Sequence, residues 1–405
     1  MADIPEQDPE ANGWNKISAL PEDARQYFFT MFDHTTNQGL VIGNGNHQGN
    51  DHKTMWYQTG VEPEEDKGAL WTFDAFDGNN YSGARGVETS YLIITNASYA
   101  DICMQSYDGD TWFYRTDNNG EGWTDRAYVI PTYLLDSGWR LRNYKGGNDQ
   151  YIGRWDGSDE VAGNTNGSNL GNYDIYAILR GQYVGIAEAI DEASEDNPID
   201  ITYVIANPDG TRKNNFHASQ PIGWTVSQDD ASEIEYANYL PAKVGDSYFN
   251  KWQGSGNITD RSMSQKVTGL PSGRYRLKVK TSASVVASGA YLFANTNNTQ
   301  LNTVNGEDGE VTVVTNVSDG TLEFGVRLQN YQSNNCKFDH FTLEYLGRKP
   351  GDVDANGTTD LSDLQKLVLY FVGKTADGVV NPDVNRDGIE SLKDIVTLIN
   401  FLIQH

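Results

Sequence analysis

Short apolar runs separated by Gly, Asn and Asp clusters fill most of the chain. The runs at 27–32, 91–95 and 173–178 are rich in aromatic and β-branched residues, which is typical of strands between turns. Strict alternation of apolar and polar residues at 275–279 and 341–345 predicts antiparallel strands that are buried on one face. The pattern therefore predicts a mostly β, multidomain chain up to about residue 347.

The first domain is predicted at 14–185, after an acidic lead at 1–13 that we expect to be disordered. Three times within this domain a tryptophan-bearing hairpin is followed by a strand. The closing strands are about 50 residues apart, which indicates a three-fold repeat. The pairs are Trp56 with 71–73, Trp112 with 128–130, and Trp155 with 173–176. The repeat is similar to a ricin-type β-trefoil lectin, although Arg154-Trp155 stands where that family has Gln-x-Trp.

An acidic segment at 186–198 separates the first domain from the second and predicts a short linker helix that Pro198 ends. The second domain is predicted at 199–347. Its order of motifs resembles a galactose-binding-like jelly roll, a β-sandwich of the kind used as carbohydrate-binding modules. The motifs are Asn207-Pro208-Asp209, Gly223-Trp224-Thr225, the turn at 265–275 and the strand at 338–343.

Oxygen-bearing side chains recur in two loops near the end of the chain. The first loop is 352–363 and the second is 383–394, an offset of 31 from 352 to 383. Oxygen side chains occupy loop positions 1, 3, 5 and 12, and a glycine occupies position 6. Position 7 offers its carbonyl, so the pattern is that of an EF-hand loop. The predicted metal ligands are Asp352, Asp354, Asn356, Thr358, Asp363, Asp383, Asn385, Asp387, Ile389 and Asp394.

Apolar residues at helical spacing follow each loop, which predicts one amphipathic helix after each. Paired loop–helix units with Asp at position 12 resemble a type I dockerin, a small all-α calcium-binding module, over 348–405. The resemblance implies two calcium ions, a fold that depends on them, and a cohesin module as partner. It also implies export, so we expect a secreted or cell-surface protein. Loop positions 10 and 11, which tune the choice of cohesin in that family, are Leu361, Ser362, Leu392 and Lys393.

Loop aromatics beside amide or charged residues are the candidates for sugar binding. Aromatic rings offer flat apolar faces to sugar C–H groups, and neighbouring polar side chains can satisfy the hydroxyls. A structural role for the same aromatics stays open at this point. The candidates are Trp252 with Gln253 and Asn257, Tyr331, Trp123 and Trp155.

Composition excludes several classes of partner. The formal net charge of −26 argues against nucleic acid and anionic membranes, and no apolar stretch is long enough for membrane insertion. The first residues, 1–6, are polar and acidic and do not resemble a signal peptide. Because the dockerin resemblance implies export, we expect a mature or trimmed amino terminus from which the signal peptide has been removed. Cys103 and Cys336 lie in different predicted domains, so we expect no disulfide between them.

We find no defensible catalytic constellation: there is no Gly-x-Ser-x-Gly elbow, no His-Glu-x-x-His and no Walker loop. The sequence therefore predicts a secreted, non-catalytic modular protein. Its β-domains would bind polysaccharide or host glycan, and its dockerin would attach it to a cohesin. Two alternatives stay open. The chain could be the accessory carboxyl-terminal part of a larger glycoside hydrolase, or a structural spacer or protein-binding stalk without sugar affinity.

Overall fold

The chain is mostly β, as predicted, with two longer helices in its carboxyl-terminal part. The computed structural model describes residues 9–46, 53–76, 91–107, 110–114, 129–145, 148–154, 158–164, 170–209, 223–227, 235–237, 248–282, 288–301, 309–385 and 389–404. In these ranges no helix combines the length and apolar character needed to cross a membrane.

Thirteen strands ahead of residue 180 join into one continuous antiparallel sheet. They are β1 (Asn15–Lys16), β2 (Tyr27–Asp33), β3 (Gly39–Asn46), β4 (Lys53–Gln58), β5 (Trp71–Phe76), β6 (Tyr91–Asn96), β7 (Tyr99–Tyr107), β8 (Asp110–Tyr114), β9 (Val129–Leu134), β10 (Gly138–Lys145), β11 (Asn148–Arg154), β12 (Val161–Asn164) and β13 (Tyr173–Leu179).

Six of these strands close into a ring. Following the hydrogen-bonded pairs from β2 through β5, β6, β9, β10 and β13 leads back to β2. Six of the seven remaining strands pair as three hairpins, β3–β4, β7–β8 and β11–β12, and β1 pairs with β13. Each third of the sheet therefore runs ring strand, hairpin, ring strand. Ring closure removes the open sheet edges that would otherwise pair with other chains.

Apolar side chains from the ring strands form the core of this first domain. Phe29 and Phe73 stack with ring centroids 4.0 Å apart, and Ile94, Leu141 and Ile175 are fully buried. Burial of each such side chain contributes roughly 1.5–3 kcal/mol. Part of the predicted lead belongs to this structure, because Pro9–Asn12 forms a 3-10 turn and its proline is buried.

The junction with the second domain is a helix, α1 (Arg180–Ala187), which continues directly from β13. It begins earlier than the acidic linker helix predicted at 186–198, a range that holds only the last two residues of α1 and a 3-10 turn at Ile190–Glu192. Tertiary packing explains the shift. The Tyr183 ring packs edge-on against Phe28 and donates its hydroxyl to Pro63 O at 2.9 Å. The acidic segment contributes only smaller apolar contacts to this core, from Ala187, Ile190 and the buried Ala193.

The second domain is a sandwich of two antiparallel sheets. One sheet has the order β16-β17-β24-β19-β22, with β14 paired to β24, and the other has the order β15-β18-β23-β20-β21. The strands are β14 (Ile199–Asp200), β15 (Thr225–Val226), β16 (Glu235–Ala237), β17 (Tyr248–Trp252), β18 (Arg261–Thr268), β19 (Gly273–Thr281), β20 (Ala290–Ala294), β21 (Asn297–Gln300), β22 (Gly309–Val317), β23 (Thr321–Leu328) and β24 (Asn335–Tyr345).

Alternating residues of both sheets meet in the sandwich core, as the sequence pattern predicts. In β19 the buried positions include Tyr275, Leu277 and Val279, and polar residues separate them on the outer face. Cys336 is a free thiol in this core, and burial raises its pKa to about 12. A thiol with so high a pKa stays protonated at neutral pH, so it is chemically inert.

The carboxyl-terminal part is a small helical module. It contains α2 (Leu361–Phe371) and α3 (Leu392–Gln404), which pack on each other. Among the described residues, the core of this module has Val353, Leu367 and Leu398 fully buried at its centre, with only partly buried apolar residues packed around them. A core this small contributes little folding free energy, and modules of this size usually need a metal, a disulfide or a partner.

Candidate metal centre and glycan-binding surface

Three carboxylates meet in the first predicted loop. One oxygen each from Asp352, Asp354 and Asp363 lies within 4.8 Å of the others. These are loop positions 1, 3 and 12, so the sequence predicted the residues that the fold brings together. Carboxylate oxygens are hard ligands of the kind that calcium prefers.

Backbone N–H groups hold the Asp363 carboxylate in place. Its Oδ1 accepts hydrogen bonds from the N–H groups of Val353 at 2.8 Å and Asp354 at 3.2 Å, and its Oδ2 accepts one from Asp360 N at 2.9 Å. The last bond closes the capping box at the start of α2. The residue that ends the loop therefore also begins the helix, which couples loop geometry to helix formation.

The glycine at position 6 allows the sharp turn of the loop. Gly357 has φ +89°, a left-handed conformation that L side chains rarely adopt. The turn points the N–H groups of Gly357 and Asn356 at the two oxygens of Asp352, at 2.7 and 3.0 Å. Asn356 in turn accepts a hydrogen bond from Thr358 N at 2.7 Å. The predicted ligand at position 5 thus lies in the same hydrogen-bonded turn as position 1.

Electrostatics in the loop favour a bound cation. Burial, followed by the nearby charge of Asp363, raises the pKa of Asp352 to about 6. The pKa of Asp363 is also raised, chiefly by burial. Burial acts in the same direction on Asp354, but the hydrogen bond from Lys366 Nζ at 2.5 Å helps to lower the pKa of Asp354 overall. A divalent cation would compensate the remaining repulsion between the carboxylates, so the donor set fits calcium.

The second loop repeats part of this geometry. Asp394 is fully buried and accepts hydrogen bonds from Asn385 N at 3.0 Å and from Ser391 N at 2.8 Å. These match the bonds that Asp363 accepts from Asp354 and Asp360 in the first loop. Of the other predicted ligands in this loop, Asp383 stands at position 1, and Ile389 at position 7 has an exposed side chain. The predicted ligand Asp387 lies outside the described residues.

The predicted cohesin-contacting residues lie at the start of the two helices. Leu361 is 73% exposed and Leu392 is 68% exposed, and Ser362 and Lys393 beside them are exposed as well. Leucines this exposed, at the same point of two repeats, contribute little to the small core.

Trp252 is the most exposed tryptophan among the described side chains, at 59%. It ends β17 and leads into a loop braced by side-chain amides. Gln253 Nε2 donates to Asn257 O at 2.7 Å, and Asn257 Nδ2 donates to Gln332 Oε1 at 3.2 Å. A flat indole face beside a rim of amides is suited to a sugar ring.

The prediction that Tyr331 binds sugar is wrong. Its ring is buried, with 1% exposure, and its hydroxyl donates to Asn335 O at 2.7 Å. It is therefore part of the sandwich core and cannot stack on a glycan. The other two predicted aromatics, Trp123 and Trp155, lie outside the described residues.

Sequence reasoning missed several residues that shape these surfaces. Trp56 in β4 is 38% exposed, whereas Trp14, Trp71 and Trp139 of the same domain are buried.

Asn381, which is buried, donates its Nδ2 to Asp352 O at 3.0 Å and so holds the first loop from outside the repeat. The sequence did not predict a role for Asn381, because Asn381 lies between the two loops and no equivalent residue occurs 31 positions away in the other repeat.

Comparisons with known proteins give weak similarities only. The sequence matches no protein-family model and no curated protein. Among solved structures, TmCBM61 in complex with β-1,4-galactotriose is 21% identical, with a TM-score of 0.25, and covers 34% of this chain and 94% of its own. A family 35 carbohydrate-binding module from Clostridium thermocellum is 13% identical, with a TM-score of 0.23, over 31% of this chain and 94% of its own. A Stig cyclase, Fisc, from Fischerella sp. TAU is 13% identical, with a TM-score of 0.29, over 38% and 100%. Similarities this weak do not establish the family or the function of the chain.

Proposed function

We propose that this chain is a modular glycan-binding protein whose carboxyl-terminal module is a calcium-dependent dockerin. The observation that carries the proposal is the paired loop geometry. Asp363 and Asp394 end their loops with matching backbone hydrogen bonds, and three carboxylates converge in the first loop. Calcium in each loop would supply the folding free energy that the small core of α2 and α3 lacks.

The two β-domains supply the glycan-binding part of the proposal. The closed ring with three hairpins supports a β-trefoil for the first domain, and the two-sheet sandwich supports a galactose-binding-like jelly roll for the second. In the sandwich, the exposed indole of Trp252 and the amide rim beside it supply the chemistry for polysaccharide or host glycan. We propose a secreted or cell-surface location, in agreement with the dockerin assignment.

Trp252→Ala is expected to weaken glycan binding by roughly five- to hundredfold without unfolding the domain. An exposed ring contributes little to the core, whereas loss of an aromatic contact costs a ligand roughly 1–3 kcal/mol. A glycan array followed by calorimetric titration of the strongest ligand measures the change. Trp252→Phe is the matched control, since it keeps an aromatic face and should retain most of the affinity. Equal affinities of all three proteins would remove Trp252 from the binding site.

The docking face is tested with Leu361→Asp and Leu392→Asp. Each change places a charge on an exposed leucine at the start of a helix. We expect the double variant to lose binding to any cohesin module that the unaltered chain captures from a panel of purified cohesins. Val372→Asp, at an equally apolar and exposed position after the other end of α2, should bind normally. Retained binding by the double variant would contradict the proposed face.

A further inference from the structure

The first calcium loop contacts the β-sandwich. Gly357, at loop position 6, lies against Asn316 of β22 so closely that a Cβ at 357 would be 1.9 Å from Asn316 Nδ2. Asn316 Nδ2 also donates a hydrogen bond to Asn356 O at 3.3 Å. A side chain of the sandwich therefore packs on the turn that carries predicted ligand position 5.

A second connection reaches the same loop from another part of the sandwich. Ser272, in the turn before β19, donates its hydroxyl to Asn381 Oδ1 at 3.1 Å. Asn381 then donates its Nδ2 to Asp352 O at 3.0 Å, and Asp352 is loop position 1. Two independent hydrogen-bond chains thus join the sandwich to the ligand-bearing residues of the first loop.

The two loops differ in burial. Asp352 and Val353 of the first loop are buried, whereas their counterparts in the second loop, Asp383 and Val384, are only half-buried. Ala355 also has a left-handed backbone, with φ +55°, which an alanine adopts only when its surroundings hold it there. The loops share their ligand spacing, but the first one is more buried at these positions and contacts the sandwich through Asn316.

We infer that the first loop is an interdomain latch: cations in both loops help to fold the helical module, but only the cation in the first loop also fixes that module onto the β-sandwich. The inference rests on the calcium part of the proposed function. The Asn356 side chain is a predicted ligand, and its backbone carbonyl is the group that Asn316 holds. A cation that orders the Asn356 side chain therefore also orders its backbone carbonyl, and the hydrogen bond from Asn316 that holds the carbonyl helps to order the side chain. By linkage, the sandwich must then raise the calcium affinity of the first site by the same factor by which calcium strengthens the docking.

The latch has a functional consequence. The glycan-binding Trp252 lies in the same sheet as β22, so a fixed module would present the glycan surface and the docking helices at a set orientation. Without calcium in the first loop, the β-sandwich and the helical module would move independently about the linker at 347–350. Calcium would then control the geometry of attachment as well as the folding of the module.

Asn316→Ala in the full chain tests the latch. It removes one hydrogen bond and the packing on Gly357, so we expect one of the two calcium sites to weaken roughly three- to tenfold and the other to stay unchanged. Calorimetric titration of the chelator-treated protein measures both sites. Thr312→Ala is the matched control, because Thr312 lies on the same face of β22 about 13 Å further along the strand. It should titrate like the unaltered chain.

Ser272→Ala is a second test of the latch, and it does not depend on Asn316→Ala folding well. It removes the hydrogen bond from Ser272 to Asn381, which in turn holds Asp352, so it should also weaken calcium binding at the first loop. Hydrogen exchange of β22 provides a readout independent of affinity, and calcium should slow exchange at the Asn316 end of the strand. If the chain binds two calcium ions, yet both variants titrate normally and β22 exchange ignores calcium, the latch is refuted and the dockerin proposal stands. If the chain binds no calcium, both are refuted.

Discussion

Gly181→Ala is expected to lower the unfolding midpoint of the two β-domains by roughly 1–4 °C, because overpacking at a close contact costs about 1–3 kcal/mol and the two domains unfold as one large unit. Gly181 is in α1, where the helix touches the sandwich. A Cβ at 181 would be 2.3 Å from Leu270 N and 2.5 Å from Thr268 O. These are backbone atoms, so the added methyl group could be accommodated only by separating α1 from the sandwich.

Gly185→Ala is the matched control for this prediction. It makes the same chemical change one turn later in α1, where the Cβ would meet only Pro271 Cγ, at 3.9 Å. Since alanine is the better helix former by up to about 1 kcal/mol, this variant should be neutral or stabilising. Scanning calorimetry in calcium measures both midpoints. If the two variants behaved alike, the close packing of α1 on the sandwich would be contradicted.

The same region should make the β-domains unfold together. One continuous hydrophobic cluster contains Phe28 and Tyr183 from the first domain and its helix, and Leu270 and Tyr275 from the sandwich. Arg180, which is buried, also donates Nη1 to Val204 O at 3.1 Å across this junction. Domains that share a core in this way lose their stability in one step.

Asp352→Ala combined with Asp383→Ala is expected to abolish calcium-dependent folding of the carboxyl-terminal module. Each change removes position 1 of a loop. A ligand at a thousandfold excess over its dissociation constant stabilises a fold by about 4 kcal/mol. The buried core of Val353, Leu367 and Leu398 is too small to replace that free energy. We therefore expect α2 and α3 to unfold in the double variant even when calcium is present.

Limited trypsin digestion of the full chain measures this outcome. Lys366 and Lys393 are in α2 and α3, so cleavage after them reports unfolding of each helix. The unaltered chain should resist cleavage in calcium, and the double variant should be cut in calcium and in chelator alike. Asp377→Ala removes an acidic residue between the two loops and should remain resistant. Resistance of the double variant would show that the module folds without the predicted ligands.

The local patterns were enough to predict the two loops and two helices of the module and several of the strands of the β-domains. The offset of 31 from 352 to 383 specified two loops and two helices, because ligand spacing and helical spacing repeated together. Alternation in 275–279 specified a half-buried strand, which is β19. Both signals act over a few neighbouring residues, so they are readable in a single sequence.

Features that depend on distant contacts could not be predicted. Tyr331 and Trp252 both have amide neighbours in sequence, yet one is buried and the other exposed. The helix α1 forms because Gly181 and Tyr183 fit against residues far along the chain, and not because 180–187 has a helical apolar period. Asn316 reaches the first loop across the domain boundary, which no spacing rule within either domain describes.

Hydrogen exchange of the full chain, in calcium and after chelation, tests the central claim most directly. The account predicts that amides of α2 and α3 lose protection when calcium is removed, while the ring strands and the sandwich core keep theirs. Protection of α2 and α3 that does not change with calcium would contradict a calcium-dependent module and, with it, the dockerin assignment.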